Sequence, residues 1–296
     1  MKTLVIGLIA LAAALFLFTR LVAPPNQLDY LDVAWPGKND AEKLAADLVF
    51  DPASGQKLNI WGTKETSAER KKPVIVFFYG GGWANGDRDH YGFAARAYAN
   101  RGFIVVLPDY RKVPQVHFPV FNQDAATAVR WVHDNIARYG GDPSHMVLAG
   151  HSAGAYIAMM LTLDGAYLRA VGLNPSIVRA TVGLSGPYDF YPYDSRRSIN
   201  AMNRWPRPLE TQPIAFARSD APPIMIVTGT ADDTVKPRNA ILLARRLTEL
   251  GAPVTFQAYN DLGHEDIVMA LSKPFRSKAP VLQDSVDFLM KATKTP

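Results

Sequence analysis

A serine between two glycines, an aspartate well downstream and a histidine beyond that are the residues of this 296-residue chain whose types and order suit covalent chemistry. The serine is Ser152, in Gly150-His151-Ser152-Ala153-Gly154, with apolar residues from Met146 to Ala149 before it and a largely apolar stretch from Ala155 to Leu161 behind it. That pattern reads as strand, sharp turn and helix, with Ser152 at the apex. Such a turn exposes the hydroxyl, and the helix N-terminus offers backbone N–H groups to developing negative charge. Glycines 150 and 154 suit a place where strand and helix pass closely. A serine hydroxyl is a poor nucleophile until a base takes its proton, and the base needs a carboxylate to orient it. On a strand–turn–helix serine the partners follow in the order Ser, Asp or Glu, His.

Of the six histidines only His264 lies beyond Ser152, in Asp261-Leu262-Gly263-His264-Glu265, and it is expected on a loop after an apolar segment ending at Tyr259. The side chain of His151 points away from its neighbour and is expected to pack in the turn. The acid should follow the preceding strand, where Thr228-Gly229-Thr230-Ala231-Asp232-Asp233 offers two carboxylates. Asp232 is the expected partner of His264, and Asp233 is expected to face solvent or cap the next segment. Gly80-Gly81-Gly82 ends another strand-like run. Glycines let backbone N–H groups approach an oxyanion without a Cβ in the way, so Gly81, Gly82 and the N–H of Ala153 would form a three-donor hole. A phosphate cradle would need different glycine spacing or a Gly-Lys-Ser/Thr ending, and neither is present. Trp83, Tyr156 and residues 186–220, a long irregular insertion, are expected to line the substrate pockets.

These residues must be positioned by elements that the patterning also marks. Residues 74–79 and 103–107 are continuous apolar runs, the mark of strands buried on both faces. Residues 47–50 and 58–61 read as an antiparallel pair at a sheet edge. Further strands are expected at 180–184, 224–227 and 254–259. Helical spacing runs through 91–101, 122–138, 237–250 and 281–291, with Gly140 to Pro143 as a break and residues 26–61 otherwise polar and mixed. Strands alternating with helices imply a mostly parallel sheet covered on both faces.

Composition narrows the function classes. There is no cysteine, which excludes disulfides, thiolate nucleophiles and cysteine-bound metal. The net charge of +5 is scattered, without the basic face or aromatic platform of a nucleic-acid binder. His264 has no second histidine at ligand spacing, so neither metal nor other cofactor is implied. Lys2 precedes an apolar run from Leu4 to Phe18, closed by Arg20 and Pro24-Pro25. Residues 4–23 as a helix would reach about 30 Å, enough to span a bilayer. The expectation is an uncleaved N-terminal anchor, with a cleaved signal as the alternative, in residues 1–25, and a catalytic domain in 26–296 on the periplasmic side of the membrane.

Taken together, Tyr79-Gly80-Gly81-Gly82-Trp83, Asp109-Tyr110-Arg111, Gly150-His151-Ser152-Ala153-Gly154, Gly229-Thr230-Ala231-Asp232 and Gly263-His264 resemble the α/β-hydrolase superfamily. The resemblance is to its esterase/lipase branch of hormone-sensitive-lipase-like, feruloyl-type carbohydrate and kynurenine-formamidase-like enzymes. It implies a central sheet of about eight mostly parallel strands. It also implies a serine carboxylesterase acting on a small-molecule ester, with Asp109 and Arg111 structural. Amide hydrolysis by the same residues remains open, as does, more remotely, a tethered binding protein that has lost catalysis. One position departs from the family: Tyr79 stands where a histidine usually opens the oxyanion segment.

Overall fold

The structure, a computed structural model, describes residues 24–63 and 71–293. The expected anchor at 4–23 and most of a charged loop at 64–72 lie outside the described residues. In chain order the main elements are α1 (Pro24–Ala34), β1 (Ala41–Asp51), β2 (Gln56–Thr63), β3 (Lys72–Phe78), α2 (Gly92–Ala99), β4 (Ile104–Pro108), α3 (Val120–Asn135) and β5 (Gly141–His151). They continue with α4 (Ala153–Leu163), α5 (Ala166–Ala170), β6 (Val178–Leu184), α6 (Arg196–Met202), β7 (Ile224–Gly229), α7 (Arg238–Glu249), β8 (Val254–Tyr259), α8 (His264–Met269) and α9 (Val281–Thr293).

The strands form one eight-stranded sheet in the order β1-β2-β4-β3-β5-β6-β7-β8. β1 pairs antiparallel with β2 and β2 with β4, and every other pair is parallel. The apolar runs explain the centre: Val74 to Phe78 of β3 and Ile104 to Leu107 of β4 are fully buried, as strands covered on both faces must be. Right-handed crossovers dictate where the helices go. The step from β3 to β4 runs one way across the sheet, and the steps from β4 to β5, β5 to β6 and β7 to β8 run the other way. So α2 covers one face, and α3, α4 and α7 cover the other. α9 joins α2, where the Tyr98 hydroxyl meets Ser285 Oγ at 3.0 Å.

That reversal fixes the site. β3 lies between β4 and β5, so the chain leaves β3 and β5 toward opposite faces and opens a crevice at their carboxyl ends. Their pairing is unbroken from Val74 opposite Met146 to Phe78 opposite Gly150. The glycine segment and Ser152 therefore emerge side by side.

Several expectations need correction in extent. The edge strand expected at 47–50 runs from Ala41 to Asp51, broken by register shifts and by Asp47 at φ 56°. The break expected at Gly140 to Pro143 is narrower, because β5 already starts at Gly141. Residues 186–220 are not wholly irregular, since they hold α6 and two short 3₁₀ turns, Pro208–Thr211 and Pro213–Phe216.

Helix α1 was not anticipated, and the expected boundary after residue 25 falls in its first turn. A buried ion cluster holds it. Arg96 of α2 donates from Nε to Asp32 at 2.9 Å and from Nη2 to Asp29 at 2.8 Å. The other Asp32 oxygen accepts the backbone N–H of Lys273 at 2.7 Å, and Lys273 Nζ reaches the Trp35 carbonyl at 2.7 Å. None of the helices among the described residues is long and apolar enough to cross a membrane.

Asp32 is only 2% exposed, so removing its cation leaves a buried charge uncompensated. Arg96→Ala is expected to lower the unfolding free energy by about 3–5 kcal/mol in urea denaturation. A loss under about 1 kcal/mol would show that the cluster does not hold α1.

Candidate active site

Ser152 links β5 to α4 with φ 54° and ψ −121°, a region that costs a non-glycine residue free energy and persists only where neighbours over-determine it. The constraints are visible. The Ser152 N–H donates to the Leu184 carbonyl at the end of β6 at 2.9 Å, and its own carbonyl accepts from Tyr156 at 3.0 Å. Gly154 has no room for a side chain, because a Cβ there would collide with the Phe78 carbonyl of β3. The first turn of α4 is thereby pressed against the strand that carries the glycine segment.

The structure brings the three sequence-selected side chains into contact. His264 Nε2 lies 2.9 Å from Ser152 Oγ, and its Nδ1 lies 2.8 Å from Asp232 Oδ2. Asp232 can only accept, so the Nδ1–H is donated to it and Nε2 is left to accept the serine proton. The other Asp232 oxygen accepts backbone N–H groups of Thr234 at 3.1 Å and Val235 at 2.8 Å, which fixes the carboxylate. The segments leading to the two residues are tied together as well. Thr230 and Ala231 donate backbone N–H groups to the carbonyls of Tyr259 and Leu262 at 2.9 and 3.0 Å. Asp233 is exposed and takes no part in this contact. His264 is not on a loop as expected. It is the first residue of α8 and is buried.

His151 packs in the turn, and its ring does more than fill space. Its Nε2 lies 3.3 Å from the His264 carbonyl, which can only accept, so Nε2 carries the proton. Nδ1 then accepts the Tyr91 hydroxyl at 3.0 Å. Burial, with His264 adding a lesser push, holds the His151 pKa well below the usual imidazole range. A neutral, fixed ring thus clamps the backbone of His264 from the serine turn. Nothing in the sequence marked Tyr91 as a partner of His151, because the link arises only when the 3₁₀ turn Asp89–Tyr91 folds against Gly80.

Gly81 and Gly82 have φ of 132° and 60°, a region that favours glycine. Gly82 and Ala153 line the cleft with Ser152, and the Gly81 carbonyl closes the turn onto the N–H groups of Ala84 and Asn85 at 3.2 and 3.0 Å. Tyr79, the residue that departs from the family pattern, braces this segment. Its hydroxyl donates to Asp109 at 3.1 Å and accepts from Lys112 at 2.9 Å, and its ring stacks on Tyr110 with centroids 4.6 Å apart. Asp109 also pairs with Arg88, and Arg111 makes a forked pair with Asp124, so both motif residues hold loops.

The cleft over Ser152 has a volume of about 720 Å³. Trp83 and Phe190 form its aromatic wall, stacked with centroids 6.0 Å apart. Tyr156 does not line it. It is fully buried behind Trp83, edge-on at 5.3 Å, with its hydroxyl donated to the Thr211 carbonyl at 2.9 Å. The remaining wall comes from the 186–220 excursion and from residues 233–239 after β7, and the latter were not foreseen. A second cavity of about 680 Å³ lies by Val178 and Pro223, at the opposite ends of β6 and β7 from Ser152.

Comparison with known proteins decides the lineage. A family model described as BD-FAE matches residues 58–247. The chain belongs to the BD-FAE family. Among its relatives, Esterase LipQ of Mycobacterium tuberculosis is 26% identical over 260 residues, 81% of this chain and 61% of that protein. Isoprenylcysteine alpha-carbonyl methylesterase ICME of Arabidopsis thaliana is 28% identical over 268 residues, 83% of this chain and 62% of that protein. The chain thus spans about three fifths of the length of these curated relatives. A truncated form of a carbohydrate esterase from gut microbiota superposes with a TM-score of 0.73 at 21% identity, over 88% of this chain and 99% of that one. This BD-FAE chain therefore has the fold of the α/β-hydrolase esterases.

A neutral His151 makes a pH prediction. Its folded pKa is depressed, so below its unfolded value of about 6.5 the unfolded chain takes up a proton that the folded chain refuses, and stability falls as pH drops. His151→Gln keeps a donor for the His264 carbonyl and an acceptor for Tyr91 but cannot titrate. Its melting temperature is expected to fall less than that of the parent between about pH 7 and about pH 5. Equal slopes in differential scanning fluorimetry would show that this ring is not held neutral.

Proposed function

We propose that this chain is a serine carboxylesterase that cleaves small carboxylic esters through an acyl-enzyme. The observation that carries the reading is the continuous hydrogen-bonded line Asp232–His264–Ser152, ending on a strained turn that opens into a cleft. In this mechanism Ser152 Oγ attacks the acyl carbon as His264 Nε2 takes its proton, and Asp232 stabilises the imidazolium that forms. The oxyanion is met by the backbone N–H groups of Gly81, Gly82 and Ala153. His264 then returns the proton to the departing alkoxide, so the alcohol leaves and the acyl group stays on Ser152. Water, deprotonated by the same nitrogen, repeats the attack and releases the acid. The esterase names of the relatives support this chemistry, and the apolar run at residues 4–23 supports an exported enzyme tethered to a membrane.

The test is hydrolysis of p-nitrophenyl esters from acetate to palmitate by the purified chain, beside Ser152→Ala and Asp232→Asn. Ser152→Ala is expected to remain folded and lose turnover and fluorophosphonate labelling. Asp232→Asn is expected to lower kcat by about 10³–10⁴. Labelling at Ser152 without ester turnover would point instead to an activated amide. Ester hydrolysis retained by Ser152→Ala would end the serine mechanism.

A further inference from the structure

The cleft over Ser152 has a charge pattern that a neutral ester does not call for. Four cations line it, Arg196, Arg197, Lys236 and Arg238, against three carboxylates, Asp189, Asp194 and Asp233. Arg238 is engaged by Asp189 at 3.4 Å. Arg196, Arg197 and Lys236 make no ion pair among the described residues. Arg197 stands apart by position. A Cβ added at Gly82 would come within 2.6 Å of Arg197 Cδ and 3.4 Å of its Nε. The arginine stem thus lies over Gly82, and both residues line the cleft with Ser152.

The backbone that carries Arg197 is fixed by the fold. Arg197 belongs to α6, whose start is tied by reciprocal bonds: the Ser198 N–H donates to Ser195 Oγ at 3.1 Å and the Ser195 N–H to Ser198 Oγ at 3.4 Å. At the far end, the carbonyl of Ala201 accepts from the Phe118 N–H at 2.9 Å and that of Asn200 from His117 Nδ1 at 2.7 Å. Ser198, Ala201 and Met202 are buried. A guanidinium held on such a platform, without a protein carboxylate, presents paired donors that match a carboxylate.

We propose that the enzyme selects esters carrying a second, free carboxylate a few bonds from the scissile carbonyl, and that Arg197 is the specificity-determining residue, with Lys236 adding charge across the cleft. This inference rests on the serine-esterase reading. The chemistry balances as before: water is added across the acyl C–O bond, and a dicarboxylic acid or a carboxylated alcohol leaves.

The experiment uses two matched pairs on the full chain: mono-p-nitrophenyl adipate against its methyl ester, and 4-acetoxybenzoate against its methyl ester. In at least one pair the anion is expected to have a kcat/KM about tenfold higher, a preference that shrinks at high salt. Arg197→Ala should lose about tenfold toward that anion and less than about twofold toward its neutral partner, with Arg197→Lys in between. An equal loss on both partners would make the arginine a general stabiliser of the oxyanion and overturn the proposal, as would neutral preference in both pairs. Turnover without any charge preference sinks this inference alone, whereas no turnover and no fluorophosphonate labelling sinks the esterase reading with it.

Discussion

The structure depends on one tight crossing, where the first turn of α4 lies against the carbonyls that end β3. Gly154 allows it, since any Cβ would strike the Phe78 carbonyl. With the helix pressed there, Ser152 has no choice but the left-handed backbone it adopts, and the bond from its N–H to Leu184 takes up part of the strain. The start of the helix, Ala153, and Gly82 line one cleft with Ser152. The exposed serine and the glycine segment are thus brought together by a single packing constraint.

Around that crossing the electrostatics are divided by burial. Asp232 and His264 are sunk behind the serine, and Asp232 is satisfied by two backbone N–H groups besides the imidazole. The second histidine is kept neutral and used as a strut between the serine turn and the backbone of the first. Within the cleft, Arg196, Arg197 and Lys236 carry full charges without an ion pair among the described residues, on the excursion and on the segment after β7. Water can solvate them there.

The sequence was most legible where geometry forces residue type. Buried runs such as Val74 to Phe78 fixed the central strands, and the order of Ser152, Asp232 and His264 was readable because each follows the end of a strand. What escaped is what tertiary contacts decide. Helix α1 has little amphipathic pattern of its own and is held by Arg96 and Lys273, remote in sequence. Tyr156, expected in the pocket wall, is instead buried edge-on behind Trp83, a contact that no local pattern announces. The struts to His151 and Tyr79 come from Tyr91, Asp109 and Lys112, and only folding brings these together. His264 was expected on a loop because the helix it begins is short and has little apolar periodicity to announce it.

The unbroken pairing of β3 with β5 sets a rule for how this chain can change its length. One residue gained or lost within either strand would displace its carboxyl end by about 3.3 Å and turn every following side chain to the other face. Insertions and deletions between residues 74 and 152 must therefore fall in the connections, and lineages of this fold should align without gaps across both strands. The stretch from β6 to β7 lies outside these paired strands, so a change of length between its anchored points leaves their register intact. That is where length can drift, and with it the shape of the cleft, without moving the serine.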